Sequence, residues 1–252
     1  MHERYTAIAP LYDVLSLEWP VYRAGRVAGI PLLGLSAGDV VVDVGCGTGL
    51  NFPLLREAVG PRGHVVGVDA SKDMLRTARG KLGSPPPPNV HLVQHDARQL
   101  GSLAGVLLEP PIAAERPVDA ILFTYALSLV TPWRQAWTAA TALARPGTRI
   151  VVVDMAEPTG RGRVLAPLAR LACWLGGADI AAHPWSALAR ECDDVTHLSA
   201  RAGHLQIWAG TWPGASTDSP SGPPTGPPVE PGVTHETDET DLTDETDTRS
   251  PT

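Results

Sequence analysis

Cysteine is scarce in this 252-residue chain: Cys46, Cys173 and Cys192 make an odd number, widely spaced, with no C-x-x-C pair. A chain of this size does not depend on disulfides, so a reducing compartment and no structural zinc are expected. Long apolar runs are missing too. No uninterrupted run of about 18 apolar residues occurs, and the amino terminus MHERYTAIAPLYD has neither the basic start nor the apolar core of a signal peptide. The expectation is a soluble, cytoplasmic protein. Charge of one sign is lacking as well once the tail is set aside. The formal charge is −7, but from Pro213 onward the chain carries nine acids and one base, leaving 18 acids against 19 bases before it. A near-neutral body implies neither a nucleic-acid footprint nor a strongly cationic membrane face. No H-E-x-x-H or other tight His and acid spacing is present, so no metal is expected.

What is present divides the chain into three parts: a cap segment over 1–35, one domain over 36–212, and a tail over 213–252. The tail, Pro-rich and then repeating in HETDETDLTDETDT, has no apolar content to offset its ordering entropy and is expected to be disordered. In the domain, short β-branched runs at 40–44, 64–69, 90–96, 118–125 and 149–154 read as strands buried on both faces. They alternate with helix candidates near 51–59, 72–82 and 134–144. This alternation predicts an α/β fold, Rossmann-like and doubly wound around a mostly parallel seven-stranded sheet. The last two strands, 194–200 and 204–210, are close enough to form an antiparallel edge hairpin.

The segment VVVDVGCGTGLNF places a buried strand directly before Gly45, Gly47 and Gly49 and a helix after them. Such a turn lets a ligand lie against the backbone. Asp69 closes the second strand, where a carboxylate accepts hydrogen bonds from both hydroxyls of an adenosine ribose. Asp43, just before the turn, would repel a pyrophosphate and suits a ligand carrying an ammonium and a sulfonium. The turn is one residue shorter than G-x-G-x-x-G, and G-x-x-x-x-G-K-S/T is absent.

VDVGCGTGLNFPLL and GVDASKDML resemble the first two motifs of the class I methyltransferases that use S-adenosyl-L-methionine (SAM). QHDA (94–97) and ARPGTRIVVVD (144–154) resemble the later ones in the same order, with Thr148 where the family's turn has a second glycine. The resemblance implies that Gly45, Gly47 and Gly49 lie along the methionine part and Asp43 near its amino group. It further implies Asp69 on the ribose, Met74 beside the adenine, and Asp96 with Ala97 at the adenine edge. Each has a plain structural alternative: Asp43 as a turn cap, Met74 as helix packing, Asp96 as a strand-end cap.

Methyl transfer from a sulfonium needs alignment and exclusion of water more than a catalytic acid or base, so residues name the cofactor better than the acceptor. FTYALSLVTPW (123–133) falls where the methyl should sit, with Tyr125 and Ser128 as its polar groups. It resembles a segment of bacterial phospholipid and betaine-lipid N-methyltransferases. RYTAIAPLYDVLS resembles their opening and equally that of quinone C-methyltransferases, which implies that Tyr5 and Tyr12 cover the site. His183 is a further candidate for an acceptor-side or base residue, with Trp185, Asp193 and Asp194 near it, whereas His95 should alternate away from Asp96. The segment 160–177 reads as a basic amphipathic helix. Either it caps its own core or it makes peripheral membrane contact for a lipid acceptor.

The resulting expectation is N-methylation of an amine such as an aminolipid head group. The alternative within chemistry is C- or O-methylation of a quinone precursor or secondary metabolite, favoured by an aromatic pocket without carboxylates for a cation. A nucleotide-binding oxidoreductase and a non-catalytic scaffold are the readings of another class.

Overall fold

The computed structural model describes residues 22–103 and 117–213. Tyr5, Tyr12 and the tail beyond 213 therefore lie outside the described residues.

The strands are β1 (Val40–Val44), β2 (His64–Asp69), β3 (Val90–Gln94), β4 (Ala120–Thr124), β5 (Arg149–Met155), β6 (Asp193–Ala200) and β7 (Leu205–Thr211). They form one seven-stranded sheet in the order β3-β2-β1-β4-β5-β7-β6. The first five are parallel. β7 runs antiparallel to both β5 and β6. The sheet is Rossmann-like and matches the expected doubly wound arrangement with an edge hairpin.

Helices α1 (Arg23–Gly29), α2 (Phe52–Val59), α3 (Lys72–Lys81), α4 (Trp133–Thr141), α5 (Ala166–Gly176) and α6 (Trp185–Glu191) connect the strands, with 3-10 turns between. Because side chains alternate along a strand, the two faces of the sheet build separate cores. Val41, Val65, Leu122 and Val153 pack with Phe52 and Leu55 of α2 and Ala78 of α3 on one face. Val42, Val44, Val68 and Phe123 pack with Trp137 of α4 and Leu188 of α6 on the other. All five residues of β1 and of β4 are buried, as expected for central parallel strands.

One strand departs from the expectation of burial on both faces: β3 is half-buried. β6, expected at the edge, is exposed along almost its whole length. Each is an edge strand with one neighbour, so only part of its surface is covered. Strand order reverses beside β1, which pairs with β2 on one side and β4 on the other. A crevice at the carboxyl ends of these strands is the consequence for ligand binding. Among the described residues, no helix is long and apolar enough to cross a membrane.

Candidate functional site

A cavity of about 500 Å³ opens at the carboxyl ends of β1, β2, β3 and β4. Its floor is the turn after β1, where Gly47 takes φ 54°. A Cβ at Gly47 would meet no heavy atom within 4 Å, so the backbone there is bare toward the cavity. Gly45 also lines the wall, but its constraint is packing: a Cβ would lie 2.6 Å from that of Ala126 in the turn after β4. Gly49 does not line the cavity. Its missing Cβ makes room for the Phe52 ring instead.

Asp69 lies at the end of β2 and lines the cavity. Its carboxylate accepts from the Gly47 N–H at 2.9 Å and the Ser71 N–H at 2.8 Å, which ties the glycine turn to the start of α3. Met74 is buried in the first turn of α3 and faces the same cavity, as do Asp96 and Ala97 beyond β3. Asp96 is gripped by Arg98, whose Nε donates to both carboxylate oxygens at 3.0 and 3.1 Å. Arg98 also donates to the Thr131 carbonyl, joining the β3 end to the turn after β4. His95 lines the cavity too, contrary to the alternation expected of it, because β3 ends at Gln94 and the pleat no longer governs.

Asp43 is placed differently from the other predicted cofactor residues. It is wholly buried and does not line the cavity. The alternation of β1 turns it to the face of Val41, where the Asn51 amide donates to both its oxygens at 3.0 Å. Burial pushes its carboxyl up to about 7, against the opposing Asn51 hydrogen bond and the charge of Arg26.

Arg26 itself is a residue that motif reading missed. It projects from α1, lines the cavity, and donates to Asn51 Oδ1 at 3.1 Å and Thr124 Oγ1 at 3.2 Å. The signal for it was the pair Gly25 and Gly29 one helical turn apart. A Cβ at Gly25 would lie 2.1 Å from the Tyr125 hydroxyl, and one at Gly29 would lie 2.6 Å from Val153. Small residues at this spacing let α1 lie flush against the sheet and deliver Arg26 to the site.

Of the acceptor-side candidates, Tyr125 is at the cavity. It follows β4 in a left-handed conformation, φ 54°, which costs a non-glycine residue about 1 to 2 kcal/mol. Its hydroxyl donates to the Tyr22 carbonyl at 2.8 Å, its ring lies 4.8 Å from that of Tyr22, and the Arg26 guanidinium stands 5.2 Å from its centroid. Ser128 does not reach the cavity. It is buried, donating its hydroxyl to Asp154 at 2.7 Å and its backbone N–H to the same carboxyl at 3.1 Å. Ser128 and Asp154 thus hold the turn after β4 to the end of β5. Burial raises the Asp154 carboxyl to about 6.

His183 is exposed, its ring tilted against that of Trp185 at 5.1 Å, and does not line the cavity. Asp193 and Asp194 do not line it either. Asp193 pairs with Thr211, which is opposite Arg149 at the amino end of β5, so both acids belong to the far end of the sheet. Cys46 borders the cavity, but its side chain packs in the core, where burial holds the thiol well above its usual range. Among the described residues, no group of three or more His, Cys, Asp and Glu could hold a metal ion.

Residues 41–147 match the family model described as a methyltransferase domain. The chain is 32% identical over 157 residues to a ubiquinone/menaquinone biosynthesis C-methyltransferase of Syntrophotalea carbinolica, covering 62% of this chain and 61% of that one. It is 27% identical over 161 residues to a demethylmenaquinone methyltransferase of Shouchella clausii, covering 63% and 64%. The match thus spans a little under two thirds of these relatives' length. Among solved structures, a SAM-dependent methyltransferase of Aquifex aeolicus aligns with TM-score 0.52 at 18% identity, over 82% of this chain and 97% of that one. Aeropyrum pernix fibrillarin, with natively bound SAM, aligns with TM-score 0.50 at 16% identity over 74% of each chain. At such identity the likeness is one of fold.

Proposed function

We propose that this chain, which carries a methyltransferase domain over 41–147, transfers the methyl group of SAM to carbon or oxygen of a neutral or anionic ring compound. The cavity residues fit the cofactor. In this reading Asp69, which lines the cavity, would accept from the ribose hydroxyls, the bare Gly47 backbone would admit the methionine part, and Met74, Asp96 and Ala97 would border the base. When bound, SAM supplies an electrophilic methyl on a sulfonium.

The distribution of charge around the cavity carries the choice of acceptor. Among the described lining residues the carboxylates are Asp69 and Asp96, both at the β2 and β3 ends that serve the cofactor. The β4 side presents Phe123, Tyr125, Leu127, Leu129 and Val130, with Arg26 as its cation. An ammonium acceptor would find no counter-charge there and would be repelled by Arg26. An aromatic hydroxyl compound would find apolar contact and a positive wall that favours its ionised form. The chain's own residues then align the acceptor on the Tyr125 side and exclude water, while the acceptor's proton leaves to solvent. Two relatives named as quinone-pathway methyltransferases support this reading over the aminolipid head group.

The test is transfer of labelled methyl from SAM to reduced naphthoquinone and benzoquinone precursors and to phosphatidylethanolamine. Labelling of the ring compounds is expected. Labelling of the amine alone would overturn the acceptor assignment.

A further inference from the structure

The 3-10 turn Gly160–Leu165 and helix α5 present an inverted surface. Small residues, Ala169 and Cys173, face the protein and pack on Met155, Ile180 and Tyr125. The large apolar side chains point outward: Val164 is 82% exposed, Leu165 57%, Leu168 64%, Leu171 50% and Trp174 71%. A helix that capped its own core would do the reverse. Single exposed leucines need no explanation, but five large apolar residues along one turn and the helix that continues it mark a contact surface.

Charge identifies the partner. Between Glu157 and Asp179 the chain carries three arginines, Arg161, Arg163 and Arg170, and no acid. Arg163 is exposed beside Val164, and Arg170 is bound to Glu157 at 2.6 Å. An apolar face ending in a tryptophan and flanked by arginine is complementary to an anionic bilayer, which accepts the apolar chains at its acyl boundary and the cations among its head groups.

We propose that 160–176 docks this chain onto an anionic phospholipid surface, with Val164, Leu168, Leu171 and Trp174 entering the interface. The inner face of the same helix packs against Tyr125, which lines the cavity, so docking would bring the cavity mouth to the lipid. The proposal stands on the surface itself and does not require the acceptor reading.

The experiment is sedimentation of the full chain with vesicles of phosphatidylglycerol and phosphatidylcholine in equal parts, and with phosphatidylcholine alone. Binding to the anionic vesicles is expected, weakening as salt rises from about 0.1 to about 1 M. Leu168→Glu/Leu171→Glu/Trp174→Glu should reduce that binding by at least about tenfold. Arg161→Gln/Arg163→Gln should narrow the preference for anionic over neutral vesicles. S-adenosylhomocysteine binding by each variant shows that it is folded and keeps the cofactor question separate. Wild-type protein that stays in the supernatant with both vesicles would overturn the proposal. So would a wild-type dimer, seen by analytical ultracentrifugation, that the triple variant makes monomeric, since the face would then belong to a second copy.

Discussion

At the scale of single residues, Asp69 carries two duties that a substitution separates. Its carboxylate accepts from the Gly47 and Ser71 amides and is also the group proposed for the ribose. Asp69→Ala should weaken S-adenosylhomocysteine binding on the order of a hundredfold, the worth of two hydrogen bonds to a charged group. A single cooperative thermal transition should be retained. Unchanged affinity in calorimetry would remove the ribose assignment. Asp154 gives a prediction about pH. Its folded carboxyl sits at about 6 rather than 3.8 because burial disfavours the charge, so its contribution to stability is present in acid and is lost as pH rises through that range. Asp154→Asn cannot ionise. The urea midpoint of the variant, measured against wild type, should therefore improve between about pH 4 and 7, and a flat difference would show that Asp154 titrates normally.

The residue scale is also where the sequence was least legible. Asp43 stands beside the glycine turn and its charge suits a cationic ligand, yet the two-residue period of β1 turns it under the sheet toward Asn51. Counting that period from the buried valines was the available signal. Arg26 lies outside every motif, and only the glycine pair around it hinted at a close helix contact. His183 was singled out for its chemistry alone, and nothing in its spacing bore on whether α6 and its preceding loop reach the cavity.

Among elements, α1 is the most sensitive to a small change. It approaches β4 and β5 through Gly25 and Gly29, and Arg26 enters the cavity only because that approach is close. Gly25→Val would drive the helix away from Tyr125 and Val153. The expected result is a loss of cofactor affinity of about tenfold or more, with overpacking costing about 1 to 3 kcal/mol of stability. A variant with wild-type stability and affinity would show that α1 is not seated by this contact. The strands were legible because parallel strands buried on both faces read as unbroken β-branched runs, and their order followed from the alternation with helices. The orientation of α5 was not. Apolar spacing at helical period defines a stripe without saying whether core or surroundings receive it, and here the small residues took the inside.

For the whole molecule, the reversal of strand order beside β1 fixes where a ligand can enter, and the motifs found in sequence converge there. Asp69 stands at the end of β2 with Met74 just beyond it, Asp96 and Ala97 follow β3, and together they border one cavity with Gly45 and Gly47 after β1. The acceptor side is less legible because the transferred methyl asks little of side-chain chemistry, leaving shape and charge to choose the substrate. The central claim is that this cavity binds SAM rather than a dinucleotide. Calorimetric titration of the full chain with S-adenosylhomocysteine, with NADH as the control, tests it most directly. Micromolar binding of S-adenosylhomocysteine and none of NADH is the predicted result; binding of NADH, or of neither, would contradict it.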